Sequence, residues 1–449
     1  MTKQNQTYII IFLLLLSVTV VIFMDQPLFI GIGATCLISA ILTKNKQKLP
    51  QLIVMNTISV SKTMLLMFLI SITLPVLMAA GTLPTLIYHV SNLMVGYNLL
   101  LSAFIISTVL SMVLGSAIGT LTILLPLFAS IAYQSGIDYP ILIGALISGV
   151  YIGDRCSPLS SGLHLLSGIT ETDFVSNMRL LLMSAAPPFL LSLGFFHFWG
   201  FKSLITIDMI SSNALLPMIF DLNLWRLLPL GLMIFLLVIK QPITRVLTIV
   251  FLVCAGIALM TDLSLPQLPS LLWGGYASSV PEISAYIKTS GFKQMINVIL
   301  VIFFSGVLGS ILEADHLMGA IIAPFVKKLT SRRKLLFNTG CLSILLSMVT
   351  CSQAMTAMVS GKYLAPYYDD FKLKREFLVM MTANTGLNIV ALIPWNVNGI
   401  MIKQLTGVSP LNYFIFSVFV IILTLLTLFV YPILIQKHLE YKPIKMTKQ

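Results

Sequence analysis

Charged residues are scarce in this chain. Asp, Glu, Lys and Arg make up 9% of its 449 residues, whereas an ordinary soluble domain carries roughly 25%. Hydrophobic residues make up 57% of the chain, and the mean hydropathy is +0.99. This composition is that of an integral membrane protein, which excludes an ordinary soluble enzyme or binding domain.

Paired cysteines and catalytic motifs are also absent from the sequence. The five cysteines are scattered, with no C-x-x-C pair and no spacing that predicts a metal site. There is no H-E-x-x-H motif, no G-x-S-x-G motif and no phosphate-binding glycine loop. An intramembrane aspartyl protease would need Asp369 as a partner for Asp154, but Asp369 lies in a charged run typical of a connector. We therefore expect neither enzymatic activity nor a cofactor.

Basic charge is present in excess, with a net charge of +12. The basic residues fall in short connectors between apolar segments, at 44–48, 327–334 and 372–375, and in the tail from Lys437. This is the positive-inside pattern of cytoplasmic loops, which also attract anionic lipid headgroups. We therefore expect both termini on the cytoplasmic side of the cell membrane, an even number of crossings, and no nucleic-acid partner.

Long apolar segments are abundant. The first one follows Lys3 as in a secretory signal, but no A-x-A-like cleavage site comes after it, so it predicts a retained span. Segments near the ~20 residues that cross the hydrocarbon core are 8–24, 28–43, 62–80, 98–114, 119–133, 139–153, 179–200, 223–239, 245–261, 294–312, 335–350, 377–402 and 411–435. Several are too short or too polar to cross alone, and irregular backbone at membrane depth needs cover from protein or a water-filled cavity. The sequence thus predicts an all-α polytopic membrane protein with broken helices.

An internal repeat relates the two halves of the chain. Residues 110–120 read LSMVLGSAIGT and residues 346–356 read LSMVTCSQAMT, an offset of 236 residues (346 − 110). A chance match between two apolar segments is the alternative, but the order of apolar spans and polar breaks recurs at a similar offset. Two such halves predict a secondary transporter whose discontinuous helices meet at mid-membrane. The predicted parts are an N-terminal hairpin, a first repeat, connecting segments, a second repeat and a basic tail, at 1–50, 51–200, 201–290, 291–435 and 436–449.

Each repeat carries two hydroxyls four residues apart, namely Ser116 with Thr120 and Ser352 with Thr356. In a helix the members of such a pair point the same way, so their oxygens can ligate a small cation or bind a carboxylate. Close packing between helices is the alternative, because a G-x-x-x-G motif overlaps the first pair. Gln353 favours the functional interpretation, since an amide in an apolar environment is costly unless it is hydrogen-bonded.

Two polar breaks interrupt apolar surroundings. The first, GDRCSPLSSG, covers residues 153–162, and the second, ANTGLNIVALIPWNVNG, covers residues 383–399. Proline and glycine make a helix easy to break in both, which frees backbone groups to ligate ions. The polar side chains are Asp154, Arg155, Ser157, Ser160 and Ser161 in the first break, and Asn384, Thr385, Asn388, Asn396 and Asn398 in the second.

Asp154 predicts a functional site, because an ionisable side chain at membrane depth is costly unless it is paired or hydrated. The alternative is an ion pair near the interface, with Arg155 reaching the headgroups. Glu313 is a secondary candidate, although its place after a full apolar span is also typical of a membrane edge. We take the Asp154 carboxylate as the candidate site for both a proton and a sodium ion.

Residues 144–174, GALISGVYIGDRCSPLSSGLHLLSGITETDF, closely resemble the signature region of the NhaC-type sodium/proton antiporter family. That signature reads G-D-(K/R)-x-S-P-L-S-D-T-T-N-L, followed by G-T-D. Further similar motifs are SVSKTMLLMFL at 59–69, GTLPTLIY at 81–88, and LIPWNVNG at 392–399, where the family has L-I-P-W-N-T-x-G. The resemblance covers most of the chain in order.

The resemblance implies a fold like that of sodium-coupled dicarboxylate carriers, with two inverted repeats, re-entrant hairpins, broken helices and a homodimer. SQAMT at 352–356 looks like the polar hairpin signature of that superfamily. The implied activity is export of sodium in exchange for protons, and some relatives also exchange organic acids such as malate and lactate or carry amino acids.

The chain departs from the family pattern at the acidic positions. Ser161 stands where the family has a second aspartate, and Ala383 with Asn384 stands where an acidic pair is frequent. The missing carboxylates leave open a Na⁺- or H⁺-coupled carrier of a small organic acid or amino acid, with Arg155 or a helix N-terminus holding its carboxylate. Our main interpretation is a Na⁺/H⁺ antiporter of the cell membrane with sodium at Asp154. The predicted lining is Ser116, Thr120, Ser157, Ser160, Ser161, Ser352, Gln353, Thr356, Asn384, Thr385 and Asn388, with Arg155, Glu313 and Asn396 as secondary residues.

Overall fold

The structure of the chain is a computed structural model. It describes residues 3–24, 26–43, 45–94, 96–135, 137–200, 216–261, 263–278, 289, 291–315, 317–327 and 329–441. The predicted connecting segments at 201–290 and the basic tail from 436 lie partly outside these residues. Lys44 and His316 lie outside them.

The regular elements in these ranges are helices, which confirms the predicted all-α class. The first half contains α1 Lys3–Phe23, α2 Leu28–Leu42, α3 Leu49–Ala79, α4 Thr82–Leu93, α5 Leu99–Leu114, α6 Ala117–Ser135, α7 Tyr139–Cys156, α8 Ser161–Thr170 and α9 Phe174–Trp199. Four helices follow in the described part of the connection, namely α10 Leu216–Ile219, α11 Leu228–Val238, α12 Ile243–Met260 and α13 Leu268–Gly274.

The second half of the chain follows this connection. It contains α14 Phe292–Ala314, α15 Met318–Val326, α16 Arg332–Thr350, α17 Gln353–Asp370, α18 Arg375–Asn384, α19 Val397–Thr406, α20 Pro410–Tyr413, α21 Val418–Leu425 and α22 Tyr431–Tyr441. Short 3₁₀ segments lie at Leu224–Leu227, Leu265–Gln267, Ile389–Leu392 and Phe414–Phe416, and a π-helical turn lies at Leu426–Val430.

Seven helical stretches of the described residues are long and apolar enough to cross a membrane. They are Gln4–Phe23, Val60–Ala79, Phe174–Trp199, Ile243–Met260, Phe292–Ala314, Arg375–Thr406 and Val418–Gln436. Other apolar helices, such as α2, α5 and α6, are shorter than a full crossing. This is the expected mixture of full and partial spans, and it makes the chain a multi-pass membrane protein.

The internal repeat extends to the helix boundaries. The break after α5 at Gly115 has φ 64°, and the break after α16 at Cys351 has φ 53°, so both residues are left-handed. Helices α7 and α18 begin 236 residues apart (375 − 139), and α8 and α19 begin and end at that same spacing (397 − 161). The two halves therefore share one arrangement of breaks, not merely one short motif.

The breaks at 115 and 351 each join two helices into a hairpin. In the second half, hydroxyls of α16 and α17 meet in reverse order: Ser347 Oγ lies 3.1 Å from Thr356 Oγ1, and Tyr368 donates to Thr339 at 3.0 Å. In the first half, α5 runs parallel to α7, with Ser111 Oγ donating to the Val150 carbonyl at 2.6 Å. Because α6 connects the break back to the start of α7, it is antiparallel to both.

The two halves interlock at their broken helices. Helix α8 of the first half contacts α17 of the second, and α19 of the second half contacts α6 of the first. These two contacts are equivalent under the repeat, which makes the exchange reciprocal. The inverted orientation of the halves in a membrane and the predicted domain boundaries stay predictions.

The basic connectors come together at one end of the helices. Arg332 Nε donates to the Phe371 carbonyl at 2.9 Å, and Arg375 pairs with Asp369 at 2.6 Å and with Glu171 at 3.2 Å. The hydrogen bond from Arg375 holds the pKa of Asp369 below its ordinary range. Asp369 is therefore paired with Arg375 at an exposed helix end. It is not a partner acid for Asp154, which argues against the aspartyl protease alternative.

The N-terminal hairpin of α1 and α2 is tied to the second half by a buried carboxylate. Asp315 is 4% exposed at the end of α14. Its Oδ2 accepts from Gln6 Nε2 at 2.6 Å, and its Oδ1 accepts from the Asn45 backbone N–H at 3.1 Å. One side chain thus joins α1, the α2–α3 connector and α14.

We expect Asp315→Ala to lower the stability of the protein by about 3 kcal/mol, because two donors to a buried charged group lose their acceptor. The measurement is the apparent melting temperature in detergent. Glu313→Ala, at an exposed position of the same helix end, is the matched control and should melt like the wild type. Equal melting of both variants would contradict a stabilising role for Asp315.

Candidate functional site

Asp154 occupies the last turn of α7 and faces both hairpin breaks. Its Oδ1 accepts from the Ala117 backbone N–H at 2.8 Å, at the start of α6. Its Oδ2 accepts from Gln353 Nε2 at 3.2 Å, at the start of α17. The N-terminus of a helix favours negative charge, so both breaks stabilise a carboxylate at this point.

The local sequence explains why α7 ends beside Asp154. Pro158 disfavours helical geometry for the residue before it, and Ser157 is extended at φ −70° and ψ 144°. Ser157 Oγ donates to the Met112 carbonyl at 2.7 Å, which attaches the break to the end of α5. Ser160 then starts α8 by accepting from the Leu163 N–H at 3.1 Å, and its hydroxyl also donates to the Asp154 carbonyl.

The first hairpin break is shaped by a glycine and a serine. Gly115 is left-handed, and a Cβ added to it would lie 2.5 Å from the carbonyl carbon of Leu159. Ser116 caps α6 by accepting from the Gly119 N–H at 3.2 Å, while Thr120 donates to the Ser116 carbonyl at 2.8 Å. The break after α5 therefore lies directly against the break after α7.

The second hairpin break has the same hydrogen bonds. Ser352 accepts from the Met355 N–H at 3.4 Å, and Thr356 donates to the Ser352 carbonyl at 2.9 Å. Gln353 is the first residue of α17, and its Nε2 also donates to the Leu387 carbonyl at 2.9 Å. The predicted hydroxyl pairs thus cap the two hairpins, and the carboxamide beside them is the group that reaches Asp154.

Arg155 has different hydrogen-bond partners from Asp154, although both residues line one small cavity. Its NH1 donates to Asn384 Oδ1, and Asn384 in turn donates to Ser184 Oγ at 3.1 Å. The guanidinium lies 5.5 Å from the centroid of the Phe419 ring. Arg155 is 5% exposed, and its Nε and NH2 meet no acceptor among the residues that the structure describes.

The remaining candidates of the second break serve its own packing. Thr385 donates to the Met381 carbonyl at 2.6 Å, and Asn388 donates to the Val420 carbonyl at 3.0 Å. Asn396 caps α19 through the Asn398 N–H at 3.2 Å. Asn388 Oδ1 is buried without a donor in the described part of the chain, and it is the oxygen of this group left for a ligand.

Two predicted residues lie apart from Asp154. Ser161 is exposed at the start of α8, and it lines neither of the two cavities near the site. Glu313 is exposed near the end of α14, next to the buried Asp315 that holds the N-terminal hairpin. The structure therefore does not bring either side chain to the carboxylate, and neither contributes to the site proposed below.

One cavity includes Asp154 in its lining, and a second lies beyond Gln353. The first measures about 10 Å³ and is lined by Tyr151, Asp154, Arg155, Ser160, Gly162, Leu163, Gln353, Ala383, Leu387 and Asn388. The second measures about 250 Å³ and lies between the breaks at 350–353 and 396–398 and residues of α3 and α14. Gln353 lines both cavities. A volume of 10 Å³ has room for about one water molecule, so the space at the carboxylate is closed in this conformation.

The groups around Asp154 are oxygen ligands of a kind that suits a hard cation. They combine one carboxylate with the Leu387 carbonyl and neutral side-chain oxygens such as Ser160 Oγ and Asn388 Oδ1. Within the described residues, no three His, Cys, Asp or Glu side chains form a group that could hold a metal ion. The arrangement can hold a weakly bound monovalent cation or a proton at the same carboxylate.

Sequence reasoning missed the groups that carry no residue-type signal. The Ala117 N–H and the Leu387 carbonyl are backbone atoms, exposed to the site because helices stop beside them. Ser184 and Phe419 belong to ordinary apolar helices, and their contacts with Asn384 and Arg155 join segments far apart in the chain. A general search for helix starts near the polar breaks would have found Ala117 but not the other three.

Comparison with known proteins places the chain among ion exchangers. The model of the Na⁺/H⁺ antiporter family matches residues 149–433. Over 413 residues the chain is 27% identical to a malate-2H⁺/Na⁺-lactate antiporter of Bacillus subtilis strain 168, covering 89% of this chain and 87% of the relative. It is 25% identical over 373 residues to the Na⁺/H⁺ antiporter NhaC of the same organism, covering 81% and 82% respectively. It is 24% identical over 374 residues to NhaC of Alkalihalophilus pseudofirmus, covering 82% and 81%.

Proposed function

We propose that this chain, which belongs to the Na⁺/H⁺ antiporter family and is a secondary antiporter of the membrane, exchanges sodium ions for protons at Asp154. The observation that carries the proposal is the position of the Asp154 carboxylate, which receives one donor from each hairpin break. A single titratable group in contact with both halves can bind either a proton or a sodium ion. The two ions therefore compete for it.

Exchange follows from this competition. An ionised carboxylate neutralises a bound sodium ion, whereas a protonated one has lost the charge that attracts the cation. The neutral oxygens around it cannot titrate, so they add ligands without changing the coupling. Movement of the site between the two sides of the membrane with either ion bound then gives antiport.

The test uses everted membrane vesicles with an acidic interior and a pH-sensitive dye. Addition of sodium chloride should dequench the dye as protons leave the vesicles, and an equal concentration of choline chloride should not. A sodium response no larger than the choline response, across the neutral and alkaline pH range, would reject the proposal.

A second candidate function rests on the guanidinium of Arg155. This buried cation has two nitrogens without an acceptor in the described structure, and it lines the same small cavity as Asp154. A carboxylate is the natural partner of such a group, since the planar guanidinium binds it through two parallel hydrogen bonds. The malate-2H⁺/Na⁺-lactate antiporter among the relatives fits this alternative, in which a small organic acid travels with the ions.

Arg155→Met separates the two candidates. We expect the variant to keep a sodium response in the vesicle assay, because Asp154 retains both of its donors. For the second candidate, wild-type proteoliposomes should accumulate labelled malate or lactate under a sodium or proton gradient, and Arg155→Met should lose that uptake. Wild-type proteoliposomes that take up neither acid would leave sodium and protons as the cargo.

Orientation and assembly complete the proposal. The basic connectors near Arg332 and Arg375 support a cytoplasmic location for that end of the helices. Both termini then lie in the cytoplasm, and the membrane that holds the protein is the plasma membrane. The resemblance to dimeric carriers supports a homodimer. Sodium, protons and lipid are the partners that this function requires, with no resident cofactor.

A further inference from the structure

Gln353 separates the two cavities near Asp154. Its side chain lines the 10 Å³ space at the carboxylate and also the 250 Å³ cavity on the other side. The carboxamide is fixed there by two hydrogen bonds, to Asp154 Oδ2 at 3.2 Å and to the Leu387 carbonyl at 2.9 Å. A solute in the larger cavity therefore meets this amide before it meets Asp154.

The position of the amide nitrogen is informative. Both groups that accept from Gln353 Nε2 are oxygens, one of them anionic, so the NH₂ end of the carboxamide must face them. These two oxygens are also the ligands that a hard monovalent cation would seek at this point. The partial positive charge of the amide hydrogens thus occupies the place of a cation.

The 250 Å³ cavity suits a hydrated cation in transit. Its lining holds Asn56, Thr63, Ser305, Ser352, Asn396 and Asn398 among its polar residues, and no charged side chain. Its volume can hold many water molecules, whereas the space at Asp154 holds about one. Ser305 Oγ is buried beside the Cys351 thiol and bonds to no nitrogen or oxygen of the described residues, so the wall still has hydrogen-bonding capacity to offer.

We propose that Gln353 is a displaceable plug between this cavity, which we term the vestibule, and the cation site at Asp154. An incoming sodium ion takes the place of the Gln353 NH₂ group between Asp154 and the Leu387 carbonyl. The carboxamide then turns about its terminal bond and presents Oε1 to the ion, so the plug becomes a ligand. This inference rests on the proposed function of Asp154, and it adds the route and the gate.

The first test replaces the plug and measures the sodium concentration that gives half of the maximal exchange rate in proteoliposomes. Gln353→Leu should raise that concentration about tenfold, as expected when one ligand worth about 1.4 kcal/mol is lost. Gln353→Glu cannot donate when ionised but still offers an oxygen, so its half-saturating concentration should stay at or below the wild-type value. If the glutamine merely braces the Leu387 carbonyl, both variants will raise the value alike, and the ligand role is wrong.

The second test fills the vestibule. Gly309 lines it, and a Cβ added there meets no atom within 4 Å, so Gly309→Leu adds bulk to the cavity without a clash at its first atom. The variant should lose most of its maximal exchange rate while remaining folded. Gly256→Leu is the matched control, because Gly256 is also helical and open but lines neither cavity. A wild-type rate in Gly309→Leu would overturn the route.

The result for Asp154→Asn distinguishes failure of this inference from failure of the proposed function. Loss of exchange in Asp154→Asn, together with wild-type behaviour of the Gln353 and Gly309 variants, would reject the plug and keep the cation site. Sodium-driven exchange that persists in Asp154→Asn would reject the cation site itself, and the plug with it.

Discussion

Asp154→Asn is expected to abolish sodium-driven proton release from vesicles. Asparagine keeps the size of the side chain but carries no charge, and its amide cannot titrate. The lost electrostatic interaction with the ion is worth about 3 kcal/mol, which corresponds to roughly a hundredfold loss in affinity. Because the proton and the sodium ion compete for this one group in the proposed mechanism, the coupling between them should disappear altogether.

Two further variants make this result specific. Asp154→Glu keeps a titrating carboxylate but moves it by one methylene relative to Ala117 and Gln353, so we expect partial exchange with a shifted pH optimum. Asp138→Asn is the matched control, since Asp138 lies exposed at the other end of α7 and its side chain makes no capping hydrogen bond. A normal sodium response in Asp154→Asn, or an equal loss in Asp138→Asn, would remove Asp154 from the mechanism.

Gly153→Ala is expected to reduce sodium-driven exchange almost as severely as Asp154→Asn does. The reason in this case is steric. A Cβ at Gly153 would lie 2.2 Å from the carbonyl carbon of Ser111 and 2.3 Å from the Met112 nitrogen. These are backbone atoms, so relief requires α5 and α7 to separate. Overpacking of this kind costs roughly 1–3 kcal/mol or more, and the separation would also draw Asp154 away from the start of α6.

The measurements are the apparent melting temperature in detergent and the vesicle assay. Gly168→Ala is the matched control, because a Cβ at Gly168 in α8 meets nothing within 4 Å. Alanine is a better helix former than glycine by about 1 kcal/mol, so the control should melt at or slightly above the wild-type temperature. If Gly153→Ala melts and transports like Gly168→Ala, the close approach of α5 and α7 is not required.

Much of the frame could be predicted from the sequence, because breaks in membrane helices leave a strong composition signal. The polar residues around 157–160 and 384–396 predicted interrupted helices, and α7 and α18 end there. The short match at 110–120 and 346–356 marked the two hairpin breaks, whose left-handed residues are Gly115 and Cys351. These features depend on local sequence, which is why they could be found without a structure.

The site itself was only partly predictable, because its geometry depends on contacts between distant segments. Asp154, Gln353 and Asn384 were candidates by residue type, but nothing in the sequence indicates that Gln353 contacts the carboxylate or that Asn384 contacts Arg155. Ser161 lies in the same polar break as Asp154, two residues after Leu159, and yet its side chain is exposed. The reason is that α8 begins at Ser161 and turns its first side chain outward. The chemistry of a residue is local, whereas its partner is set by the whole fold.

The arrangement of helices is duplicated, but the carboxylate of the proposed site is present only in the first half, as Asp154. Val390 stands in the second half at the position that Asp154 holds in the first (390 − 154). Under the proposed mechanism, each passage of this carboxylate therefore transfers either one proton or one sodium ion, and the two crossings displace equal charge in opposite directions. Exchange at this site alone is electrically silent, so an imposed membrane voltage should leave its rate unchanged while either concentration gradient drives it.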